Sequence, residues 1–429
     1  MKKLMVHSGK RYLATAEGEP FFYLGDTAWE IFHKLSRREA EYFLSVRQKQ
    51  GFNVIQAVAL AERDGLASPN AYGRHPLLKK GDVYDPASPD TAGEYSYWDH
   101  VDYIIQTAAE KDLFIALLPT WGDKYNKAHG IGPEIFTPEN ARQYGKWLGN
   151  RYKDYWNIIW MMGGDRKLIT DLHSAIIDEM AAGIKEGDGG NHLVTFHPDG
   201  HASSTFYVKD KDYIDFHTIQ SGHHFVSYES WELIRRTREA EEKPFMDAEP
   251  RYEDHPACFD RSLGFYWDEA DVRQNTYWNL MEGVCGNTYG NHSVWYFNTE
   301  VSTYWPYRWE EVMEHPGAYQ ARIAMDLRLS RPYFEFRAAQ ELVQDDPAVM
   351  AHQAAGRGES YAYFYSPLGL PIRAYLDKLG GSILKASWFD PRTGKEEAFA
   401  ILPPKETLFV PPSSGKGQDW VLIVDVVVQ

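Results

Sequence analysis

Residues 156–165 read WNIIWMMGGD, an apolar run that closes on two glycines and a single acid, Asp165. Apolarity that is continuous rather than alternating is typical of a strand buried on both faces, as in a parallel sheet. A second run, PFMDAEP at 244–250, ends in a similar way and carries Glu249. Cleavage of a glycosidic bond needs two carboxyl groups. The two runs therefore predict a parallel sheet that brings Asp165 and Glu249 to one site.

Six more apolar runs occur in the first 335 residues, with helical patterns between them. They occupy 21–26, 53–58, 113–119, 192–197, 213–217 and 286–290. Ser36 and Glu39 make a capping box, and Thr137 followed by Pro138 marks a second helix start. Eight strand–helix units predict a (β/α)8 TIM barrel over residues 1–335. A doubly wound open sheet is the alternative, although no glycine-rich nucleotide-binding motif follows any of the runs.

The sequence changes character after residue 335. Short strand-like runs at 361–365, 372–376, 386–389 and 420–424 are separated by turn signals rich in proline, glycine and serine. This pattern predicts a small all-β sandwich over 336–429. The sandwich could bind sugar or cover the barrel. It carries no acid pair or metal-ligand cluster of its own, which favours a cover.

The bulk composition excludes several classes of protein. Of 429 residues, 45 are basic and 61 are acidic, and the formal charge of −16 disfavours binding to nucleic acid or to an anionic membrane. No apolar stretch approaches the length of a membrane span. The basic N-terminus lacks the apolar run of a signal peptide, and two cysteines suit a reducing compartment. We therefore expect a cytoplasmic protein unless a leader has been removed. The oligomeric state is not predicted.

The two acids are expected to meet at one rim of the barrel, because all strands of this fold end at the same face. Asp165 follows the fourth run and Glu249 ends the seventh, so they would reach the rim from opposite sides. We interpret Asp165 as the general acid/base and Glu249 as the nucleophile. An acid after a strand can instead cap a helix, but the joint placement favours catalysis. Asp247 would support Glu249 from one layer deeper.

Further polar and aromatic side chains near the strand ends are candidates for binding the substrate. Aromatic rings stack on the apolar faces of sugars, and 15% of this chain is aromatic. The candidates are Asp26, Trp29, Trp121, Asp123, His197, His223, His224, Asn287 and Tyr289. The alternative for Asp26 is a capping role, and for Asn287 and Tyr289 it is a place in the barrel core.

The chain resembles the apiosidase-like glycoside hydrolases over most of its length. The similarity rests on YLGDTAW at 23–29, GFNVIQ at 51–56, WMMGGD at 160–165 and DAEP at 247–250, followed by Tyr252 and Glu253. It implies a retaining barrel enzyme with a small C-terminal domain, an acid/base in the Gly-Gly-Asp position and a nucleophile after the seventh strand. It also implies release of apiose, or a similar pentose, from a plant glycan. The broader barrel clan has Asn-Glu where this chain has Gly-Gly-Asp.

Together these features predict an exo-acting glycoside hydrolase that works by double displacement on an oligosaccharide or glycoside, without a cofactor or metal. A non-catalytic carbohydrate-binding barrel is a second interpretation, because it would keep the aromatic residues. A metal-dependent barrel hydrolase is a third, since His197, His217, His223 and His224 could ligate an ion. Such hydrolases usually carry His-x-His near the first strand, and Gly25-Asp26-Thr27 stands there instead, so we expect no metal.

Overall fold

The computed structural model describes residues 3–345 and 348–427. Within 3–345, eight parallel strands, β1 to β8, form one curved sheet. They span Tyr23–Thr27, Val54–Val58, Phe114–Leu118, Ile158–Gly163, Val194–His197, His217–Gln220, Phe245–Asp247 and Gly286–Tyr289. Hydrogen-bonded neighbours follow the order β5-β4-β3-β2-β1-β8-β7-β6, and the short antiparallel strand Ala202–Ser203 pairs with the free edge of β6.

The sheet curls until β5 lies beside β6. The backbone N–H of Asp215 donates to the carbonyl oxygen of Val194 at 2.8 Å, and the hydroxyl of Thr195 donates to the carbonyl oxygen of Phe216 at 2.7 Å. These hydrogen bonds join the two ends of the sheet in place of a regular ladder. The prediction of a (β/α) barrel is therefore confirmed, and the open doubly wound sheet is not formed.

Helices α1 to α8 alternate with the strands and cover the outside of the barrel. They span Arg37–Gln50, Tyr97–Glu110, Pro138–Tyr152, Asp171–Asp188, Thr205–Val208, Ser230–Ala240, Glu269–Met281 and Pro316–Leu329. The predicted capping box of Ser36 and Glu39 is confirmed at α1, as is the start of α3 at Thr137 with Pro138 in its first turn. Among the residues that the structure describes, no helix combines the length and apolarity needed to cross a membrane.

Side-chain alternation along the strands separates the barrel interior from the helix layer. Tyr23 points inward and donates to the side-chain oxygen of Gln56 at 3.0 Å, and the amide of Gln56 donates to the carbonyl oxygen of Ala248 at 2.9 Å. Three residues after Tyr23, Asp26 points outward and meets Arg47 of α1. Because successive strand residues face opposite sides, this parity decides which side chains can reach the barrel mouth.

The sixth strand lies further along the chain than the apolar pattern predicts. The pattern marks 213–217, whereas β6 spans His217–Gln220. Ile214 and Phe216 are buried, but they belong to the turn that leads into the strand. The strand itself is mostly polar, and two of its side chains are hydrogen-bonded within the fold: His217 contacts Ser204 and Glu241, and Thr218 donates to the carbonyl oxygen of Phe196.

The C-terminal region forms an all-β domain, as predicted. Within 337–427 the strands β9 to β16 span Arg337–Ala338, Ala354–Arg357, Tyr361–Ser366, Ile372–Tyr375, Leu384–Phe389, Glu396–Leu402, Glu406–Phe409 and Trp420–Val426. Six of them make one antiparallel sheet, and β12 pairs with β15 in a second, smaller sheet. Phe364, Ile372 and Leu422 are buried in the core of this domain.

Candidate active site

A cavity of about 440 Å³ lies at the carboxyl ends of the barrel strands. Its size is within the range of small-molecule sites in proteins. It holds both predicted catalytic acids and five of the predicted binding residues. These seven are Trp29, Trp121, Asp123, Asp165, His223, His224 and Glu249.

Asp165 reaches the cavity through a turn that only glycines can build. Gly163, Gly164 and Asp165 all have left-handed backbone, with φ of 89°, 111° and 59°. A side chain at Gly163 would collide with the carbonyl oxygen of His197, and a Cβ at Gly164 would lie 2.7 Å from the backbone nitrogen of Gly122. The turn therefore fits between two neighbouring strand ends and directs the following carboxyl group over the barrel mouth.

The surroundings of Asp165 favour its protonated form. Burial is the largest influence, and the negative charge of Glu249 adds to it, so that the pKa of Asp165 rises to about 6. The guanidinium of Arg166, with Nη1 2.8 Å from Oδ2 of Asp165, acts in the opposite direction. The side chain of Asp165 is 23% exposed, so it remains open to a ligand in the cavity.

Glu249 is held in the ionised form by two histidines. Burial alone would raise its pKa, but hydrogen bonds and positive charge from His197 and His223 lower it to about 2. Nε2 of His223 lies 3.0 Å from Oε1 of Glu249, and Nε2 of His197 lies 3.1 Å from Oε2. An ionised carboxylate only accepts hydrogen bonds, so both imidazoles present N–H groups to it.

Asp247 fixes the loop that carries Glu249. It is fully buried, and its carboxylate accepts hydrogen bonds from the hydroxyl of Ser221 at 2.6 Å, the amide of Asn279 at 3.1 Å and the backbone N–H of Glu249 at 3.2 Å. These contacts occupy the carboxylate inside the protein. Asp247 therefore does not face the cavity and is placed to support Glu249.

Three predicted binding residues point away from the cavity into the layer between strands and helices. Asp26 is fully buried and forms an ion pair with Arg47 at 2.6 Å. Asn287 exchanges hydrogen bonds with Asn279 and Thr276 of α7. Tyr289 donates to Glu253 at 2.6 Å. Successive side chains of a strand point to opposite faces of the sheet. Each of these three residues is next to a residue that faces the barrel interior, so its own side chain lies on the outer face.

Two other predicted residues lie near the cavity and contact protein groups there. His197 lies beneath the cavity, with its ring against Trp29 and Trp121 at centroid distances of 5.2 and 5.9 Å. Asp123 is at the cavity wall, but its carboxylate accepts hydrogen bonds from Lys124 at 2.6 Å and from the backbone N–H of Gly132 at 2.9 Å. It therefore holds its own loop, and His197 acts on Glu249.

Several cavity residues escaped prediction from the sequence. Glu62 follows β2 and brings a fourth carboxyl group to the wall, beside Asp123, Asp165 and Glu249; burial and the charges of Glu30 and Asp165 raise its pKa to about 8. The strand-end rule that identified Asp165 would also have found Glu62, which is the first acid after its strand. Gln220 ends β6, whose position the apolar pattern misses, and the others come from loops with no periodic signal: Arg63, His129, Ile131, Arg166, His201, Tyr252, His255, Phe259, Trp295 and Tyr304.

The predicted histidine cluster does not converge on one point. His217 lies outside the cavity, where its ring contacts Ser204 and Glu241 at 2.7 Å each. His223 stacks on His255 with ring centroids 4.3 Å apart. Within 3–345 and 348–427, no group of three or more histidine, cysteine, aspartate or glutamate side chains is arranged to hold a metal ion.

Comparison with known proteins assigns the two regions of the chain. Residues 7–335 match the family model described as "Apiosidase-like, catalytic domain", and residues 338–425 match one described as "Putative collagen-binding domain of a collagenase". Comparison with curated proteins gives no match.

Solved structures similar to this chain carry the same kind of description. One, titled a glycoside hydrolase, is 31% identical with a TM-score of 0.89 and covers 100% of this chain and 97% of its own. Another, titled a glycoside hydrolase family 5 from Bacteroides vulgatus ATCC 8482, is 30% identical with a TM-score of 0.90. The match covers 99% of this chain and 94% of that structure's chain. With the barrel and a cavity that holds two acids, these matches show that the chain belongs to the apiosidase-like family and is a glycoside hydrolase.

Proposed function

We propose that this enzyme is a retaining, exo-acting glycoside hydrolase that releases apiose or a similar pentose from plant-type glycans. In this proposal Glu249 is the nucleophile and Asp165 is the general acid/base. The observation that carries it is the pair of carboxyl groups in one cavity whose pKa values are moved apart, to about 2 for Glu249 and about 6 for Asp165. Family membership supports the choice of apiose, and a cavity of about 440 Å³, which suits a few sugar units, supports exo action.

The first step requires one acid to be ionised and the other protonated. Between pH 2 and pH 6 this is the dominant state of the pair. The carboxylate of Glu249 attacks the anomeric carbon while Asp165 gives its proton to the departing oxygen. The bond to the leaving group breaks, and the sugar becomes an ester of Glu249.

The second step requires Asp165 to change from acid to base. Formation of the ester removes the negative charge of Glu249, which is one of the two influences that raise the pKa of Asp165. The pKa of Asp165 therefore falls when the intermediate forms, so its carboxylate can take a proton from water. That water attacks the anomeric carbon from the side that the leaving group vacated, and the sugar leaves with its configuration retained.

Amide variants test the two roles. With an aryl apioside, Glu249→Gln should reduce kcat at least about a thousandfold, because no ester can form. Asp165→Asn should slow the second step more than the first, and added azide should restore turnover and yield a glycosyl azide. Asp171→Asn, on an exposed residue in the first turn of α4, is the matched control.

The stereochemical course provides an independent test of the mechanism. Proton NMR during hydrolysis should detect the anomer with retained configuration first. An inverted first product would overturn the nucleophilic role of Glu249. A broad panel of pentosides and pectin fragments would identify the sugar, and turnover of a hexoside alone would overturn the proposed specificity.

A further inference from the structure

The walls of the cavity differ in exposure between its depth and its rim. Near Glu249, the rings of Trp29, Trp121 and Tyr252 are almost fully buried. At the rim, Phe259 is 51% exposed and Ile131 is 55% exposed. The other exposed large apolar residues of 3–345 and 348–427 lie outside the cavity wall. The cavity therefore has an enclosed inner part and an outer part with open apolar surface.

Phe259 is fixed in position by its backbone. Cys258 and Phe259 are consecutive non-glycine residues with left-handed φ of 58° and 59°, a conformation that costs energy and persists where surrounding contacts impose it. The N–H of Cys258 donates to the carbonyl oxygen of His223 at 2.9 Å, and that of Phe259 donates to Pro256 at 3.0 Å. The ring packs perpendicular to His255 with centroids 4.6 Å apart. The ring also lies 5.5 Å from the ring of His223, which contacts Glu249, so an exposed aromatic ring is held close to the proposed nucleophile.

Ile131 is held on the loop after β3. Asp123 accepts a hydrogen bond from the backbone N–H of Gly132 at 2.9 Å, immediately after Ile131. Gly130 on the other side packs against Asp123 so closely that a Cβ there would lie 2.5 Å from the Cβ of Asp123. Both rim residues are therefore preorganised, so a ligand would not need to order them.

We propose that Phe259 and Ile131 form the subsite for the sugar on the leaving-group side of the scissile bond. This inference rests on the proposed function, in which the sugar under attack occupies the inner part beside Glu249. The next sugar of the glycan then lies at the rim, where its apolar C–H face covers the ring of Phe259 and removes apolar surface from water. The preferred substrate therefore carries a sugar, not a small aglycone, as its leaving group.

Two substrates with the same transferred sugar separate this subsite from the catalytic centre. One is an apiose-bearing pectin oligosaccharide, and the other is apiosyl fluoride, whose leaving group is too small to reach the rim. Phe259→Ala should lower the ratio of kcat/KM for the oligosaccharide to kcat/KM for the fluoride about tenfold, mainly through KM. Phe259→Trp should restore the ratio, because it restores a flat ring.

Controls make each outcome decisive. Phe206→Ala removes an exposed phenylalanine outside the cavity and should leave the ratio unchanged. If Phe259→Ala does not fold, Phe259→Leu keeps apolar volume without the flat face and should also lower the ratio. A wild-type ratio in the folded variant would overturn the subsite. If the wild-type enzyme hydrolyses neither substrate, the proposed function fails, and calorimetric titration of the oligosaccharide into wild type and Phe259→Ala decides the subsite by itself.

Discussion

Two carboxyl groups in one cavity acquire opposite protonation states because their partners differ. Glu249 has two imidazole contacts at 3.0 and 3.1 Å, which stabilise its charge against the effect of burial. Asp165 has one guanidinium contact, which does not offset burial and the charge of Glu249. Below pH 6 Asp165 is protonated, and above pH 2 Glu249 is ionised. Environment, more than residue type, thus separates the two proposed roles.

Removal of the charge of Glu249 should lower the pKa of Asp165. In Glu249→Gln the electrostatic contribution is lost, so the pKa of Asp165 should fall from about 6 toward its ordinary value of 3.8 while the contribution of burial remains. Carbon-13 NMR titration of the labelled aspartate carboxyl groups would follow it, with Asp165→Asn used to assign the signal. A pKa that stays at about 6 in Glu249→Gln would show that the two groups do not interact.

Loss of a histidine contact should raise the pKa of Glu249. His223→Leu removes one hydrogen-bond donor and its charge, so the pKa of Glu249 should rise above its value of about 2. The acidic limb of the profile of kcat/KM against pH should therefore move to higher pH, and kcat should fall. His223→Gln keeps an N–H donor at a similar position and should recover part of both. Equal profiles for His223→Leu and the wild type would contradict this role.

At the scale of single elements, the turn at the end of β4 determines where the carboxyl group of Asp165 lies. Gly163→Ala would place a methyl group against the carbonyl oxygen of His197 in backbone that side chains rarely adopt. We expect a loss of about 1–3 kcal/mol in the free energy of unfolding and a large fall in kcat, because Asp165 would be displaced. Urea unfolding and steady-state kinetics would measure both.

A matched glycine isolates the effect of the collision. Gly190 also has left-handed φ, 72°, but a Cβ there would meet nothing within 4 Å. In Gly190→Ala the free energy of unfolding should therefore fall only by the cost of the left-handed backbone conformation, and the variant should keep full activity. If the two alanine variants lose the same stability and both remain active, the turn does not depend on the close approach of Gly163 to β5.

Strand-based reasoning predicts elements well and loops poorly. Continuous apolar runs locate seven of the eight described barrel strands within a few residues, because buried strands need apolar faces on both sides. The same runs bring Asp165 and Glu249 to one rim. The alternation of side chains along β1 and β8 would have predicted that Asp26 and Tyr289 face outward. However, the residue at which a strand ends is the least certain part of a sequence pattern, so the alternation could not be carried to these positions. Phe259 lies on a loop whose course depends on contacts distant in sequence.

At the scale of the whole molecule, the C-terminal domain is joined to the barrel by buried polar contacts. Arg273 of α7 forms a forked ion pair with Asp419, with nitrogen–oxygen distances of 2.6 to 3.0 Å and both side chains 3% exposed. Nearby, the indole N–H of Trp278 donates to the carbonyl oxygen of His352 at 2.9 Å. A buried ion pair across two domains requires them to keep one relative orientation, which supports a structural role for the small domain.

Asp419→Ala should therefore destabilise both domains together. The variant leaves the guanidinium of Arg273 buried without its carboxylate, and such a change costs about 3–5 kcal/mol of unfolding free energy. Glu406→Ala removes one partner of the exposed pair with Arg373 and should cost at most about 1 kcal/mol. Urea unfolding, followed by tryptophan fluorescence and by loss of hydrolytic activity, should give one shifted transition in Asp419→Ala. If activity were lost at the wild-type urea concentration while fluorescence shifted, the barrel would be stable without its contact to Asp419, and the two domains would unfold independently.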